Sequence, residues 1–162
     1  MAVRVIEKSP SAYAYPLLIK NLLAPSLRYA PEQEIVYRDQ SRDTYRTLSK
    51  RVAKLAHALG DMGVTAGDTV AVMDWDSPRY LECYFAVPMI GAVLHTLNIR
   101  LSPDQLAYTI NHAEDDVIIV HADFMPLLGQ IRDQFATDKK IVVISEGGPL
   151  TEMPLSIVGE YE

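Results

Sequence analysis

Between residues 69 and 144 the sequence repeats one device: short apolar-rich runs at Thr69–Met73, Ala92–Leu97, Val117–Val120 and Ile141–Ile144, with helix-like segments between them. The runs are too short for helices. Most lack the apolar–polar alternation of a strand with one wet face. They fit strands covered on both faces, the habit of parallel sheets. Strand and helix in strict rotation predict an α/β fold, a mostly parallel sheet with helices on both faces and right-handed crossovers.

The punctuation agrees with this reading. A helix from about Thr47 to Met62 carries Leu48, Val52, Leu55, Ala56, Leu59 and Met62 on one face, and Gly63 stops it. Ser77-Pro78 and Ser102-Pro103 are helix starts, a capping serine followed by proline at the first helical position. Gln105 stands at the capping-box distance from Ser102. Pro88 ends or kinks the helix carrying Tyr80, Leu81, Tyr84 and Phe85. Asp123 is placed to cap a helix over Met125–Phe135. Upstream, Ile35–Tyr37 and Thr44-Tyr45 flank a polar turn, a hairpin signal.

Pro10, Pro16, Pro25 and Pro31 forbid a long helix before residue 32, leaving room for a short one around Leu17–Leu23. Gly147-Gly148-Pro149 ends the regular pattern. The chain is thus expected to divide into a leader (1–32), an α/β unit (33–146) and an irregular tail (147–162).

Composition narrows the function. Hydrophobic residues are 49% and charged residues 22%, the balance of a globular chain with a core. The net charge of −6 argues against a nucleic-acid binder, which needs a basic face. The apolar stretch Tyr15–Ala24 is interrupted by Pro16 and Lys20, and no cleavage site follows it, so it does not read as a signal peptide. No run is long enough to span a bilayer. The expected location is the cytoplasm. The single cysteine, Cys83, lies in an apolar run and reads as a buried, inert thiol.

Ligands of open parallel sheets lie beyond the carboxyl ends of the strands. Those ends present Asp74, Trp75 and Asp76, then His95, Asn98 and Arg100, then His121 and Asp123, then Ser145 and Glu146. Asp74, Trp75, His95, Asn98 and Arg100 are the candidate site residues. Each also has a structural reading, since caps and turns use the same residue types. The adjacent pair Asp115-Asp116 reads as a solvated turn, and His57 and His112 as exposed. There is no G-x-x-x-x-G-K-[ST], G-x-G-x-x-G or G-x-S-x-G.

Several stretches together carry a resemblance. Residues 44 to 72 hold Thr-Tyr, then Leu, Arg, Leu-Ala and Ala-Leu at helical spacing, then Gly-Val, Gly-Asp and Val-Ala. Asp74-Trp75-Asp76-Ser77 follows, with Arg79-Tyr80-Leu81-Glu82, Tyr84-Phe85-Ala86-Val87 and Gly91-Ala92-Val93. Next come Asn98-Ile99-Arg100-Leu101-Ser102-Pro103 and Tyr108 to Asp115. The whole resembles the amino-terminal portion of the adenylate-forming superfamily, in particular the AMP-forming medium- and long-chain fatty-acyl-CoA ligases.

The resemblance implies part of that superfamily's large N-terminal domain. It implies a reaction in which ATP and Mg²⁺ convert a fatty acid to an acyl-adenylate and CoA thiolate then displaces AMP. The family's phosphate loop, ribose motif and catalytic lysine lie downstream of the matching region. No catalytic, cofactor-binding or metal-binding residue is therefore carried onto this chain, and no cofactor is expected to bind it alone. A scaffold backing the acyl pocket is implied, with the leader in a homodimer contact. The alternatives are a non-catalytic assembly or binding module that self-associates or complements a separate chain, and a small catalyst using His95 or Asp74.

Overall fold

The computed structural model describes residues 9–148 and 155–162. Helix α1 (Lys20–Tyr29) leads into an antiparallel hairpin of β1 (Glu34–Tyr37) and β2 (Ser41–Thr44). The order then runs α2 (Tyr45–Asp61), β3 (Thr69–Met73), α3 (Pro78–Met89), β4 (Val93–Thr96), α4 (Pro103–His112), β5 (Val117–His121), α5 (Met125–Ile131), β6 (Lys140–Ile144) and β7 (Ile157–Glu160). The sheet order is β4-β3-β5-β6-β7, parallel throughout.

The strand side chains alternate between two cores. Val70, Val72, Val117, Ile119, Val142 and Ile144 face a layer built from α1, α2 and α3. Ala71, Met73, Ile118, Val120, Ile141 and Val143 face the layer of α4 and α5. Every residue of β3 and of β5 is buried. Helices therefore cover both faces, and the mostly parallel α/β sheet read from the sequence is the observed architecture.

The starts of the helices follow their capping chemistry. Thr44 Oγ1 accepts from the Thr47 amide at α2, and Ser77 Oγ from the Arg79 amide at α3. Ser102 and Gln105 form a complete capping box at α4. At the far end of α2 the Lys140 ammonium donates to the Met62 carbonyl (2.6 Å), setting a cation at the negative end of the helix dipole. Gly91 is required where it stands. Its φ is +84°, and a Cβ there would lie 3.0 Å from that of Ala66.

The structure departs from the sequence reading in three places. First, α1 begins and ends later than the helix expected around Leu17–Leu23, and it contains Pro25. Pro25, the sixth residue of α1, gives up one i→i−4 hydrogen bond, and Leu23 and Leu27 pack the helix onto the core. Second, α5 stops at Ile131 and tightens into a 3₁₀ turn over Arg132–Gln134. The Asn111 side chain brackets that turn, donating to the Gln134 carbonyl (2.7 Å) and accepting from the Ala136 amide (2.9 Å).

Third, the tail is not irregular throughout. Strand β7 adds to the sheet beside β6, with a bulge that leaves Val158 half-exposed. Side chains far back in the sequence fix it there. The Tyr161 hydroxyl donates to Glu82 Oε2 (2.8 Å), and Arg51 Nε donates to Glu82 Oε1. The Arg51 and Arg79 guanidiniums converge on Glu162. Burial opposes the charge on Arg51, yet Glu82 and Glu162 hold its guanidinium above the ordinary value. Such a clamp depends on partners 79 and more residues away, which no local pattern announces.

Glu82 is almost fully buried and Arg51 about a third exposed. Replacing Glu82 by alanine removes the buried acceptor of the Tyr161 hydroxyl and of Arg51 Nε, leaving Arg51 only its more exposed partner Glu162. The expected loss is about 2–3 kcal/mol, below that of a fully buried pair because Arg51 is partly solvated. Arg79→Ala, acting on more exposed partners, should cost about 1 kcal/mol or less. Urea denaturation of the two variants measures the difference, and equal losses would refute the asymmetry.

Candidate functional site

The order in which strands are added reverses at β3. The chain passes from β3 outward to β4, then crosses back to lay β5 on the other side of β3. Such a switch point opens a crevice at the carboxyl ends of the two diverging strands, where ligands of open α/β sheets bind. Asp74 follows β3 there, and His121 closes β5.

The loops at this point are tied together. Trp75 Nε1 donates to Asp123 Oδ2 (2.8 Å), and the indole packs on Phe124 with centroids 4.6 Å apart. His121 Nδ1 accepts from the Asp123 amide (3.2 Å), and its Nε2 faces Glu146 Oε2 at 3.6 Å. Asp123 thus lies inside the short turn as an acceptor for Trp75. It does not cap α5, whose start has no side-chain cap; His121 caps the 3₁₀ turn Ala122–Phe124 that precedes it.

Asp74 is buried. Its Oδ2 accepts from both the Ser77 amide and the Ser77 hydroxyl, which fastens the start of α3. Its Oδ1 is buried with no hydrogen-bond partner among the described residues. Asp76, two residues on, has a φ of +58°, in the left-handed region. A polar cavity of 460 Å³ lies beside this turn, bounded by Tyr37, Pro78, Arg79 and Glu146 among others. Burial raises the Tyr37 hydroxyl above its ordinary value; Arg38 opposes this, and the carboxylates of Asp74 and Glu146 add to it.

The other candidates make contacts of their own. His95 shares its side of the sheet with Ala71. Its Nδ1 lies 2.9 Å from both carboxylate oxygens of Asp115, just before β5 and away from the carboxyl edge. Asn98 Oδ1 accepts from the Arg100 amide (3.0 Å), a turn contact. Arg100 is exposed. The structure therefore joins Trp75 to Asp123, and His121 to Asp123 and Glu146, while Asp74 is tied to Ser77 and His95 to Asp115.

Asp115 also corrects the reading of a solvated acidic turn. It is 1% exposed, while its neighbour Asp116 is exposed and accepts from the Thr69 amide (2.9 Å). The Lys139 ammonium donates to the Asp115 carbonyl (2.6 Å) and the Thr137 hydroxyl (2.8 Å), closing a buried polar cluster. Adjacent like residues give no sequence signal of which one turns inward. Cys83, read as buried, is fully so, and burial pushes its thiol far up from the ordinary value.

A family model described as AMP-binding enzyme matches residues 24–162. The chain belongs to this family. Relatives of the AMP-binding chain include the long-chain-fatty-acid–CoA ligase of Thermus thermophilus, 44% identical over 108 residues, covering 67% of this chain and 20% of that protein. The 3-methylmercaptopropionyl-CoA ligase of Ruegeria lacuscaerulensis is 37% identical, covering 91% of this chain and 28% of that protein. The medium-chain-fatty-acid–CoA ligase of Ectopseudomonas oleovorans is also 37% identical, covering 80% and 24%. The chain therefore spans between a fifth and three tenths of the length of these relatives.

Among solved structures, an anthranilate CoA ligase in complex with anthranoyl-AMP superposes with a TM-score of 0.75 at 27% identity, covering 85% of this chain and 27% of that one. A benzoate CoA ligase from Burkholderia xenovorans shares the fold, with a TM-score of 0.73 at 17% identity over 88% of this chain and 30% of that one.

The Asp115 carboxyl yields a pH prediction. Burial raises it above its ordinary value, against the pull of His95 and Lys139. For an acid raised in the fold, the stabilising contribution is complete below the unfolded value of about 3.9. It fades as pH rises through the folded value. Asp115→Asn keeps an acceptor for His95 and removes the titration. The urea midpoint of the variant should therefore gain on that of the parent between about pH 4 and about pH 7. A difference that stays flat over that range would contradict the buried, raised carboxyl.

Proposed function

We propose that this chain is the amino-terminal, sheet-forming portion of an AMP-forming fatty-acid–CoA ligase, in which it acts as scaffold. Identity of 44% to a long-chain and 37% to a medium-chain fatty-acid–CoA ligase carries the reading. The reaction of the whole enzyme consumes ATP, a fatty acid and CoA with Mg²⁺, and yields acyl-CoA, AMP and pyrophosphate.

Holding a triphosphate takes a backbone cradle and cations. The sequence has no glycine-rich phosphate loop. Among the described residues no group of three or more His, Cys, Asp or Glu is placed to hold a metal ion. No chemical step is assigned to the residues present. Their share is mechanical: two helical layers and a rigid sheet against which the acyl pocket is built.

The leader, residues 1–32, forms a homodimer contact in this reading. Tyr13, Leu17, Leu22 and Tyr29 leave their apolar surface exposed there. The α/β unit begins at residue 33. The location is the cytoplasm; among the described residues no helix is long and apolar enough to cross a membrane. Asp74 and Trp75 are the candidate residues that border the crevice.

Two measurements test the assignment. Calorimetric titration of the 162-residue chain with Mg²⁺-ATP should give no binding heat, and saturable Mg²⁺-dependent binding would overturn the scaffold role. A chimera in which this chain replaces the matching segment of the Thermus thermophilus ligase should form acyl-CoA with kcat/KM within about tenfold of the parent, about 1.4 kcal/mol in barrier height. A folded chimera that cannot form acyl-CoA would overturn the family role.

A further inference from the structure

A second cavity, of 280 Å³, lies between the β1–β2 hairpin and α3, and it differs in kind from the polar one. Three tyrosines line it, Tyr37, Tyr80 and Tyr84, together with apolar residues such as Val36 and Leu81. Tyr80 and Tyr84 stand nearly at right angles, with planes 72° and centroids 5.2 Å apart. Rings set this way present π surface in two directions. The groove is open to solvent, since Val36 is 51% and Tyr84 44% exposed.

Asp76 is the one charged residue that lines the groove among the described residues. Its carboxylate has no hydrogen bond and no ion pair among them. Its charge is felt at Tyr80, whose hydroxyl is pushed up to about 12 by burial first, then by Tyr84 and Asp76. The nearby cations are accounted for. Arg79 is held by Glu146 and Glu162. Arg38 does not line the groove, and its guanidinium lies over the Tyr37 ring at 4.8 Å, so that ring already takes a cation from within the chain. The start of α3 favours anions through its dipole, but two of its amides are taken, that of Ser77 by Asp74 and that of Arg79 by Ser77 Oγ.

We propose that this groove binds a small free cation bearing a quaternary ammonium group, its methyls against Tyr37, Tyr80 and Tyr84 and its charge toward Asp76. Aromatic faces attract such a cation through their quadrupole. Methyl groups suit apolar walls, whereas a bare ammonium brings donors that need acceptors. The Asp76 charge repels a carboxylate or phosphate head. At 280 Å³ the groove falls just below the range of about 300–1,000 Å³ for pockets of drug-sized ligands, which suits a head group of few atoms. The inference goes beyond the ligase reading and does not depend on it.

Choline is the probe. Added to the intact chain, it should give saturable shifts of the Val36, Asp76 and Tyr84 amide resonances. Its uncharged carbon isostere, with a tert-butyl group in place of trimethylammonium, should bind about threefold more weakly or worse. Ammonium chloride should give no saturable shift of these amides.

Asp76 and Tyr84 are both at the surface, so exchanging them spares the core. Asp76→Asn, which the left-handed backbone at this position tolerates, should weaken choline binding several-fold. Tyr84→Leu should do the same, while Tyr84→Phe, which keeps the ring, should bind like the parent. Circular dichroism checks the fold of each, and the isostere comparison on the parent decides alone where a variant does not fold. The proposal is refuted by the lack of a saturable response to choline, or by equal binding of the isostere. Undiminished binding by folded Asp76→Asn or Tyr84→Leu refutes it too. Phosphatidylcholine vesicles that bind where choline does not would overturn the free cation in favour of a membrane.

Discussion

Everything in this chain depends on covering a parallel sheet from both sides. A parallel ladder cannot be closed by tight turns, so each strand must be followed by a crossover that returns over one face. β3 and β5 lie at the centre, with every residue buried. Their hydrophobic runs are only stable when α2 and α3 lie on one side and α4 and α5 on the other. The serine and threonine caps, the glycine at Gly91 and the lysine at the end of α2 all serve to place those helices at the angle the sheet requires.

That constraint is also why so much of the fold was legible. Apolar runs at Thr69 and Val117, the Ser-Pro starts at Ser77 and Ser102, and the helical stripe from Leu48 to Leu59 are local signals, each contained within a few turns of chain. What escaped was set by distant partners. Strand β7 reads as an irregular tail because its sequence, Ile-Val-Gly-Glu, has little to distinguish it; Glu82 and Arg51 supply the clamp that fixes it. The inward turn of Asp115 depends on His95, twenty residues before it.

The same division runs through the candidate site. Topology placed Asp74 and Trp75 at the crevice, because the carboxyl ends of strands can be counted off from the sequence. It did not reveal that His95 pairs with Asp115, since strand position fixes the side of the sheet and not the partner found there. Nor could it reveal that Asp74 holds one oxygen against Ser77 and leaves the other without a partner among the described residues. The family relationship and the geometry answer different questions: the first concerns which proteins the chain resembles, the second what these residues can touch.

The bulge between β6 and β7 has a bearing on self-assembly. Exposed sheet edges recruit further strands, and proteins blunt them by irregularity. By throwing Val158 out of register, the bulge breaks the flat template along β7. At the opposite edge β4 pairs with β3 in regular register and turns Val93 to solvent. Among the described residues, β4 is the side on which strand-to-strand stacking between molecules would begin.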